Sequence, residues 1–357
     1  MSSNPFLNQI KIRSQELLPE LIQIRRHLHA HPELSFQEKE TSAYISSRLH
    51  ALGIKHQTGI AGYGITGLLD SGKPGKTIAL RADMDALPIQ ETNEVAYKSV
   101  HAGIMHACGH DVHSTCLLGA LQILHEHTDL WSGKVQFVFQ PGEEKLPGGA
   151  SLMIQAGIFD ETQPDAIFGL HVFNPLTVGT AGFRAGMYMA SSDELYIRVK
   201  GKGGHGAIPE LTIDPVPIAA QIITGLQTLA SRNAKPTTPT VLSIGKIVAN
   251  GATNVIPDEV YMEGTFRTLD ENWRIKAHEH IHRICTETAK AHGAECDVRI
   301  ECGYPCLMNE ENSTAKAIKV AQSILGEENV KALDIRMASE DFAFYSQRMP
   351  ACFFRLG

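Results

Sequence analysis

Three short apolar runs, each followed at once by reactive polar residues, constrain this chain more than any other feature. Thr77 to Arg81 precedes Asp83 and Asp85, Val135 to Gln140 precedes Glu143 and Glu144, and Ala166 to Leu170 precedes His171. Each run has the length of a buried strand. Helical patterns from Val112 to His125 and from Gly149 to Ala156 lie between them, as βαβ crossovers require. In open α/β sheets the ligand crevice lies at the carboxyl ends of parallel strands, so the three ends are expected to face one pocket.

Upstream, Leu17 to His29 carries apolar residues at helical spacing and is expected to end at Pro32. A second helix is expected from about Glu38 to Leu52, stopped by Gly53. After Met189 the pattern changes. Strand Glu194 to Lys200, helix Asp214 to Ser231, strands Val241 to Val248 and Glu259 to Thr268, helix Glu271 to Ala291 and strand Glu295 to Ile300 follow one another. That βαββαβ order describes a small sheet covered by two helices. From Ser313 onward, a helix from Thr314 to Leu325 and the apolar end Ala351 to Leu356 resemble more of the first domain. The expected architecture is therefore α/β, with a mostly parallel central sheet built from residues 1–190 and 301–357, and an inserted ferredoxin-like domain over 191–300.

Composition narrows the function classes. With 357 residues the chain is long for one domain. Its net charge of −7, spread without like-charge blocks, gives no footprint for nucleic acid. No apolar run approaches the roughly 20 residues of a membrane span, and the polar start Met1 to Gln9 lacks the layout of a signal peptide. Seven scattered cysteines do not form a disulfide framework. A soluble cytoplasmic protein with a small-molecule partner is expected.

The densest chemical cluster is His106-Ala-Cys-Gly-His-Asp-Val-His113. Gly109 can adopt backbone conformations closed to other residues and so turn Cys108 and His110 toward one point. Thiolate and imidazole are standard ligands for zinc and similar metals. The plain alternative is a helix start capped by Asp111, with its histidines at the surface. In Gln140-Pro-Gly-Glu-Glu144, adjacent side chains point apart, so Glu144 can hold a metal while Glu143 handles a proton from water, the division of labour of metal-assisted hydrolysis. An isolated acid pair would read as a solvated turn, and an isolated His171 as a core or surface histidine. Asp83 and Asp85 share a face if their strand continues, and one of them could orient a ligating histidine. Recurrence at the same topological place joins these signals.

The sequence resembles the M20 metallopeptidase group, in particular its amidohydrolase branch of hippurate hydrolases, N-acetyl-amino-acid deacetylases and plant auxin-conjugate hydrolases. The matching stretches run along nearly the whole chain: Arg25 to Glu33, Arg81 to Pro88, His106 to His113, Gln140 to Glu144, Gly169 to Val172, Gly201 to Pro209, Asn254 to Asp258, Gly264 to Arg267 and Ser339 to Phe342. The resemblance implies two divalent ions per subunit, zinc or manganese with cobalt or nickel as further candidates. Their ligands would be Cys108, His110, Glu144 and His171, with Glu143 as general base and acid and Asp85 as a further catalytic residue. It further implies that the inserted domain is a lid and dimerisation domain. There His205 would polarise the scissile carbonyl across a dimer interface, and Asn254 and Arg267 would grip the substrate carboxylate. The implied reaction is hydrolysis of the amide of a small N-acetyl, N-benzoyl or aryl-acyl amino acid.

Two departures accompany the match. Glu210 stands where the branch commonly carries His, and the chain stops at Gly357 where relatives continue to a last metal-binding histidine. A protein of the same fold that binds without catalysing is the rival expectation, and a closed structural zinc site around Cys108 is another.

Overall fold

The computed structural model describes residues 5–357, with side chains from residue 7 onward; residues 1–4 of the polar start lie outside the described residues. In chain order the elements are α1 (Pro5–Ala30), α2 (Lys39–Ala51), β1 (Gln57–Ile60), β2 (Gly64–Asp70), β3 (Thr77–Asp83), α3 (His110–Glu126), β4 (Lys134–Gln140), α4 (Gly149–Gln155), β5 (Ala166–Val172), β6 (Ala181–Phe183) and β7 (Gly186–Met189). They continue with β8 (Asp193–Lys200), β9 (Gly204–His205), α5 (Pro215–Leu226), β10 (Thr240–Val248), β11 (Val255–Ile256), β12 (Glu259–Thr268), α6 (Glu271–Ala291) and β13 (Glu295–Cys302). Last come β14 (Leu307–Asn309), α7 (Glu311–Leu325), β15 (Val330–Ala332), α8 (Ala343–Ser346) and β16 (Ala351–Leu356). The chain divides into two compact units, Met1–Met187 with Met308–Ile335 and Asp341–Gly357, and Tyr188–Leu307 with Arg336–Glu340.

The first unit is built on a mixed sheet of order β1-β2-β4-β3-β5-β16-β6-β15. Its middle strands β4, β3, β5 and β16 run parallel, while β2 joins β4 and β6 joins β16 antiparallel. β4 is buried from Val135 to Gln140, as a strand covered on both faces must be. One face packs Phe137 and Phe139 with Ile24, Leu28, Ile45, Leu49 and Leu121 from α1, α2 and α3. Near the far edge, Ala181, Phe183 and Cys352 pack with Ala317, Ile318 and Leu325 of α7. Each such aliphatic or aromatic side chain contributes roughly 1.5–3 kcal/mol on burial.

Register sets what the strand ends can reach. Asp83 stands opposite Gln140, Arg81 opposite Gly169, and His171 opposite Arg355. The carboxyl ends of four parallel strands thus finish level with one another.

Several expected boundaries shift for identifiable reasons. α1 extends to Pro5, because apolar periodicity marks only the face that packs and its first turns are largely exposed helix. β3 runs through Asp83 and then stops, so the strand does not continue to give Asp83 and Asp85 a common face. β5 runs to Val172, which puts His171 inside the strand. α5 ends at Leu226, and a wider turn from Leu229 to Asn233 replaces its expected last turns.

In the second unit, the antiparallel sheet has the order β10-β12-β8-β13. β8 alternates buried Leu195, Ile197 and Val199 with more exposed residues, the period of a strand covered on one side. The buried set packs with Ile222 of α5 and Ile281 of α6. Asp214 caps α5 by accepting from Val216 N at 2.9 Å, and Asp270 caps α6 from Trp273 N at 3.0 Å.

Candidate active site

Gly109 is the hinge of the first unit's chemistry. It precedes α3 with φ 82°, and a Cβ there would lie 2.4 Å from Val172 Cγ2. Only glycine combines that left-handed backbone with that approach. Consequently Asp111 does not cap the helix. It lies in the first turn of α3, buried against His29 Nδ1 at 2.8 Å and Arg25 Nε at 2.9 Å. His106, His110 and His113 are buried, not at the surface.

On either side of Gly109, Cys108 and His110 meet Glu144 from the turn after β4, with ligand atoms of all three within 4.8 Å of one another. His110 Nδ1 is 3.2 Å from Asp85 Oδ1, which fixes the proton on that nitrogen and turns Nε2 toward Glu144 Oε1, 3.9 Å away. Asp85 Oδ2 accepts from Glu144 N at 2.9 Å and Ser35 Oγ at 2.7 Å. One carboxylate beyond the end of β3 therefore orients both the His110 imidazole and the backbone of Glu144.

Two observations test whether this donor set fits a divalent metal. His110 Nε2 and Glu144 Oε1 are buried with no hydrogen-bond partner among the described residues, a condition that costs about 1–3 kcal/mol per atom. The surrounding charge also calls for a cation. Burial alone would lower His110, but Asp83, Asp85 and Glu144 push it up to about 10. Burial, Glu144, Glu143 and Asp83 raise the Cys108 thiol far above its usual range. A dication between these groups satisfies the orphaned atoms and reverses both shifts. Thiol, imidazole and carboxylate together fit such an ion.

His171 stands beside this group rather than within it. Its ring centroid is 6.0 Å from that of His110, and its Nδ1 donates to Val172 O at 2.6 Å, leaving Nε2 as the nitrogen that can ligate. Burial, with His113 and Arg355 nearby, holds it well below its ordinary value and so neutral. His113 is engaged at both nitrogens. Nδ1 donates to Asp83 Oδ1 at 2.6 Å, and Nε2 accepts from Val172 N at 2.9 Å.

Glu143 is buried, and Asp341 N approaches its Oε1 at 3.4 Å. Below it lies an ionic layer that spacing gave no hint of. Arg81, fully buried, reaches Asp83 at 2.6 Å, Asp341 at 2.7 Å and Gln140 at 2.9 Å. Gln140 and Ala150 N also donate to Asp341. Burial works against the Asp83 charge, but His110, Arg81 and His113 keep it ionised, well below its usual range. His29 is braced between Asp111 and Glu91. Glu38 accepts from Phe36 N at 2.9 Å and Gly142 N at 2.7 Å.

The second unit holds the remaining expected residues. β9 and β11 pair His205 with Val255, and Gly206 N donates to Asn254 O at 2.8 Å, so His205 and Asn254 share one exposed two-stranded turn. Arg267, on β12, directs Nη1 to Met337 O at 3.2 Å and Ser339 Oγ at 3.4 Å. Glu210 lies on an exposed turn, Pro209–Leu211.

Fold and donor set together define a metal-dependent hydrolase. The profile of Peptidase family M20/M25/M40 matches residues 79–357, and the chain belongs to that family, in its amidohydrolase branch. An N-acyl-L-amino acid amidohydrolase of Geobacillus stearothermophilus is 43% identical over 301 residues, 84% of this chain and 81% of that protein. Thermostable carboxypeptidase 2 of Saccharolobus solfataricus is 40% identical over 354 residues, 98% of this chain and 89% of that one. The crystal structure of a dinuclear metal-binding peptidase of family M20 from Bacillus subtilis superposes with a TM-score of 0.82 at 35% identity, covering 96% of this chain and 89% of that one.

Proposed function

We propose that the chain hydrolyses the amide bond of small N-acetyl, N-benzoyl or aryl-acyl amino acids, releasing a carboxylic acid and a free amino acid. The observation that carries this reading is the pair after β4, where Glu144 joins the Cys108 and His110 donors while its neighbour Glu143 is buried beside them. A protein that only binds, or a closed structural metal site, has no use for that second carboxylate. The amidohydrolase from Geobacillus supports the substrate class by its name.

Cys108, His110, Glu144 and His171 would hold two divalent ions, zinc or manganese before cobalt or nickel. When bound, such ions supply Lewis-acid polarisation. Glu143 takes a proton from the attacking water and returns it to the departing nitrogen, which leaves as an amine. Asp85 keeps the proton on His110 Nδ1 and so presents Nε2. In the second unit, acting as lid and dimer contact, His205 would polarise the carbonyl of the scissile amide, and Arg267 and Asn254 would hold the substrate carboxylate, Arg267 as a two-pronged donor.

Seven free cysteines fit a reducing compartment, and we place the homodimer in the cytoplasm. Among the described residues no helix is long and apolar enough to cross a membrane.

A hydrolysis screen over N-acyl amino acids and dipeptides, run with each of the four metals, tests the reading. Release of free amino acid from the N-acyl series is expected. Preference for dipeptides would move the chain toward the carboxypeptidases, and no turnover with metal bound would leave the binding protein.

A further inference from the structure

A second group of metal-binding side chains lies in the second unit, unused by the reaction above. Asp193 opens β8 and Cys302 closes β13, and the ladder sets them directly opposite one another, so their side chains share a face. His278 of α6 completes the group. Its Nε2 lies 2.7 Å from Asp193 Oδ2, and its Nδ1 lies 3.9 Å from Cys302 Sγ. Asp193 is fully buried, the His278 side chain is 20% exposed, and Cys302 is exposed. From core to surface the order is carboxylate, imidazole, thiol.

Structural need explains only part of this. Asp193 accepts from Arg274 Nε at 2.9 Å, from Arg274 Nη2 at 2.5 Å and from Gly303 N at 3.3 Å. Those bonds tie the start of β8 to α6 and to the turn after β13, which satisfies a buried carboxylate. They do not require a histidine whose other nitrogen meets a thiol. A carboxylate that takes Nε2–H fixes the tautomer, so the Nδ1 lone pair faces Cys302, the arrangement that prepares an imidazole to ligate.

We propose that Cys302 Sγ and His278 Nδ1 form a surface site for one thiophilic divalent ion of the zinc type, with Asp193 holding the imidazole in place. Tetrahedral zinc with ordinary bond lengths sets sulfur and nitrogen about 3.6 Å apart. The observed 3.9 Å needs only a small closure. Binding forms a bond from sulfur and one from nitrogen to the ion, and the thiol proton leaves to solvent; nothing is oxidised. A thiolate and imidazole pair selects zinc or cadmium over magnesium or calcium. Two protein ligands leave the remaining positions to water, so the ion exchanges readily. The other use of such a trio, an activated thiol nucleophile, is disfavoured. Burial and Asp193 raise the Cys302 thiol, where an activated cysteine is lowered.

The test follows alkylation of Cys302 by iodoacetamide, read by peptide mass spectrometry on the full chain with its catalytic metals loaded. Because the readout is specific to one peptide, ions bound elsewhere do not enter it. Added zinc should slow labelling of Cys302 at least tenfold, a chelator should restore the rate, and magnesium should leave it unchanged. His278→Ala and His278→Gln should each label at the same rate with and without zinc. Labelling of the unaltered protein at one rate with and without zinc would overturn the site. So would protection that survives both substitutions, since zinc would then be held by sulfur alone.

Discussion

The two units differ in how much charge they bury. At the strand ends of the first, Arg81, Asp83, Asp85, His110, His113 and Asp341 are nearly or wholly removed from solvent. The second buries an apolar layer of Leu195, Ile197, Val199, Ile222, Phe266 and Ile281 and keeps His205 and Asn254 exposed. Charges inside a protein are stable only when each is paired and hydrogen-bonded, so the first unit's site is rigid by necessity. The second presents side chains on a short turn that little else constrains. The expected division is chemistry set by the first unit and substrate choice set by the second.

Glu143→Gln probes that division most severely. The amide cannot take the water proton, and turnover should fall about 100 to 10,000-fold with metal content and fold unchanged. More than a tenth of the original kcat, measured with metal content verified, would move the base to another residue.

Arg81→Met addresses the ionic layer through stability. It removes the cation shared by the buried carboxylates of Asp83 and Asp341, and losing one partner of a buried pair costs about 3–5 kcal/mol. The second unit supplies the control, because Arg198 and Glu259 pair on an exposed sheet face, where solvent screens the pair, and Arg198→Met should leave stability nearly unchanged. Urea midpoints that fall equally for both variants would dissolve the contrast between the units.

This contrast also explains what could be read in the sequence. Cys108 and His110 stood out as candidates because they flank Gly109 within one dense cluster, and Glu143 and Glu144 because they are adjacent just past an apolar run. Arg81 and Asp341 lie 260 positions apart, and His29 and Asp111 lie 82 apart; neither partner announces the other, because a buried ion pair leaves no local period. His113, on α3, was visible as a histidine but not as a strut, since its partners Asp83 and Val172 come from two strands distant in sequence. The βαββαβ order was legible from alternation and helical spacing. β1, largely exposed, and β6 and β15, each 3 residues long, carry too few residues for a period to show. Asp85 was expected to share a face with Asp83 only if the strand continued; β3 stops at Asp83, and the position of Asp85 past its end is what lets it reach His110 and Glu144 together.

Glu38→Gln tests the first unit's buried charge by pH. Burial, opposed by backbone N–H donors and aided by the nearby Asp85 charge, pushes Glu38 up to about 7 from 4.5. The folded state therefore holds a proton that the unfolded state has lost between those values. Its contribution to stability is fully present below pH 4.5 and is lost as pH rises toward 7. The glutamine variant avoids that loss, so relative to its value near pH 4 its stability should exceed the original by about 3 kcal/mol at pH 8. Parallel stability curves for the two proteins from pH 4 to 8 would show that Glu38 titrates normally.

Arg267→Ala carries the smallest expected effect and bears on the second unit's side of the comparison. Its guanidinium already touches Met337 O and Ser339 Oγ, so two roles compete, gripping a substrate carboxylate or propping the segment from 337 to 339. A charge-assisted hydrogen bond is worth about 1.5–3 kcal/mol, which is roughly 10 to 150-fold in an equilibrium. If Arg267 grips substrate, kcat/KM for N-acyl amino acids with a free carboxylate should fall by that factor, through KM more than kcat. The same substrates capped as amides should lose much less, because they offer no charge to pair. A propping role would instead lower both series equally, since a displaced backbone does not distinguish a carboxylate from its amide. The ratio of the two losses reports recognition, and their common part reports structure.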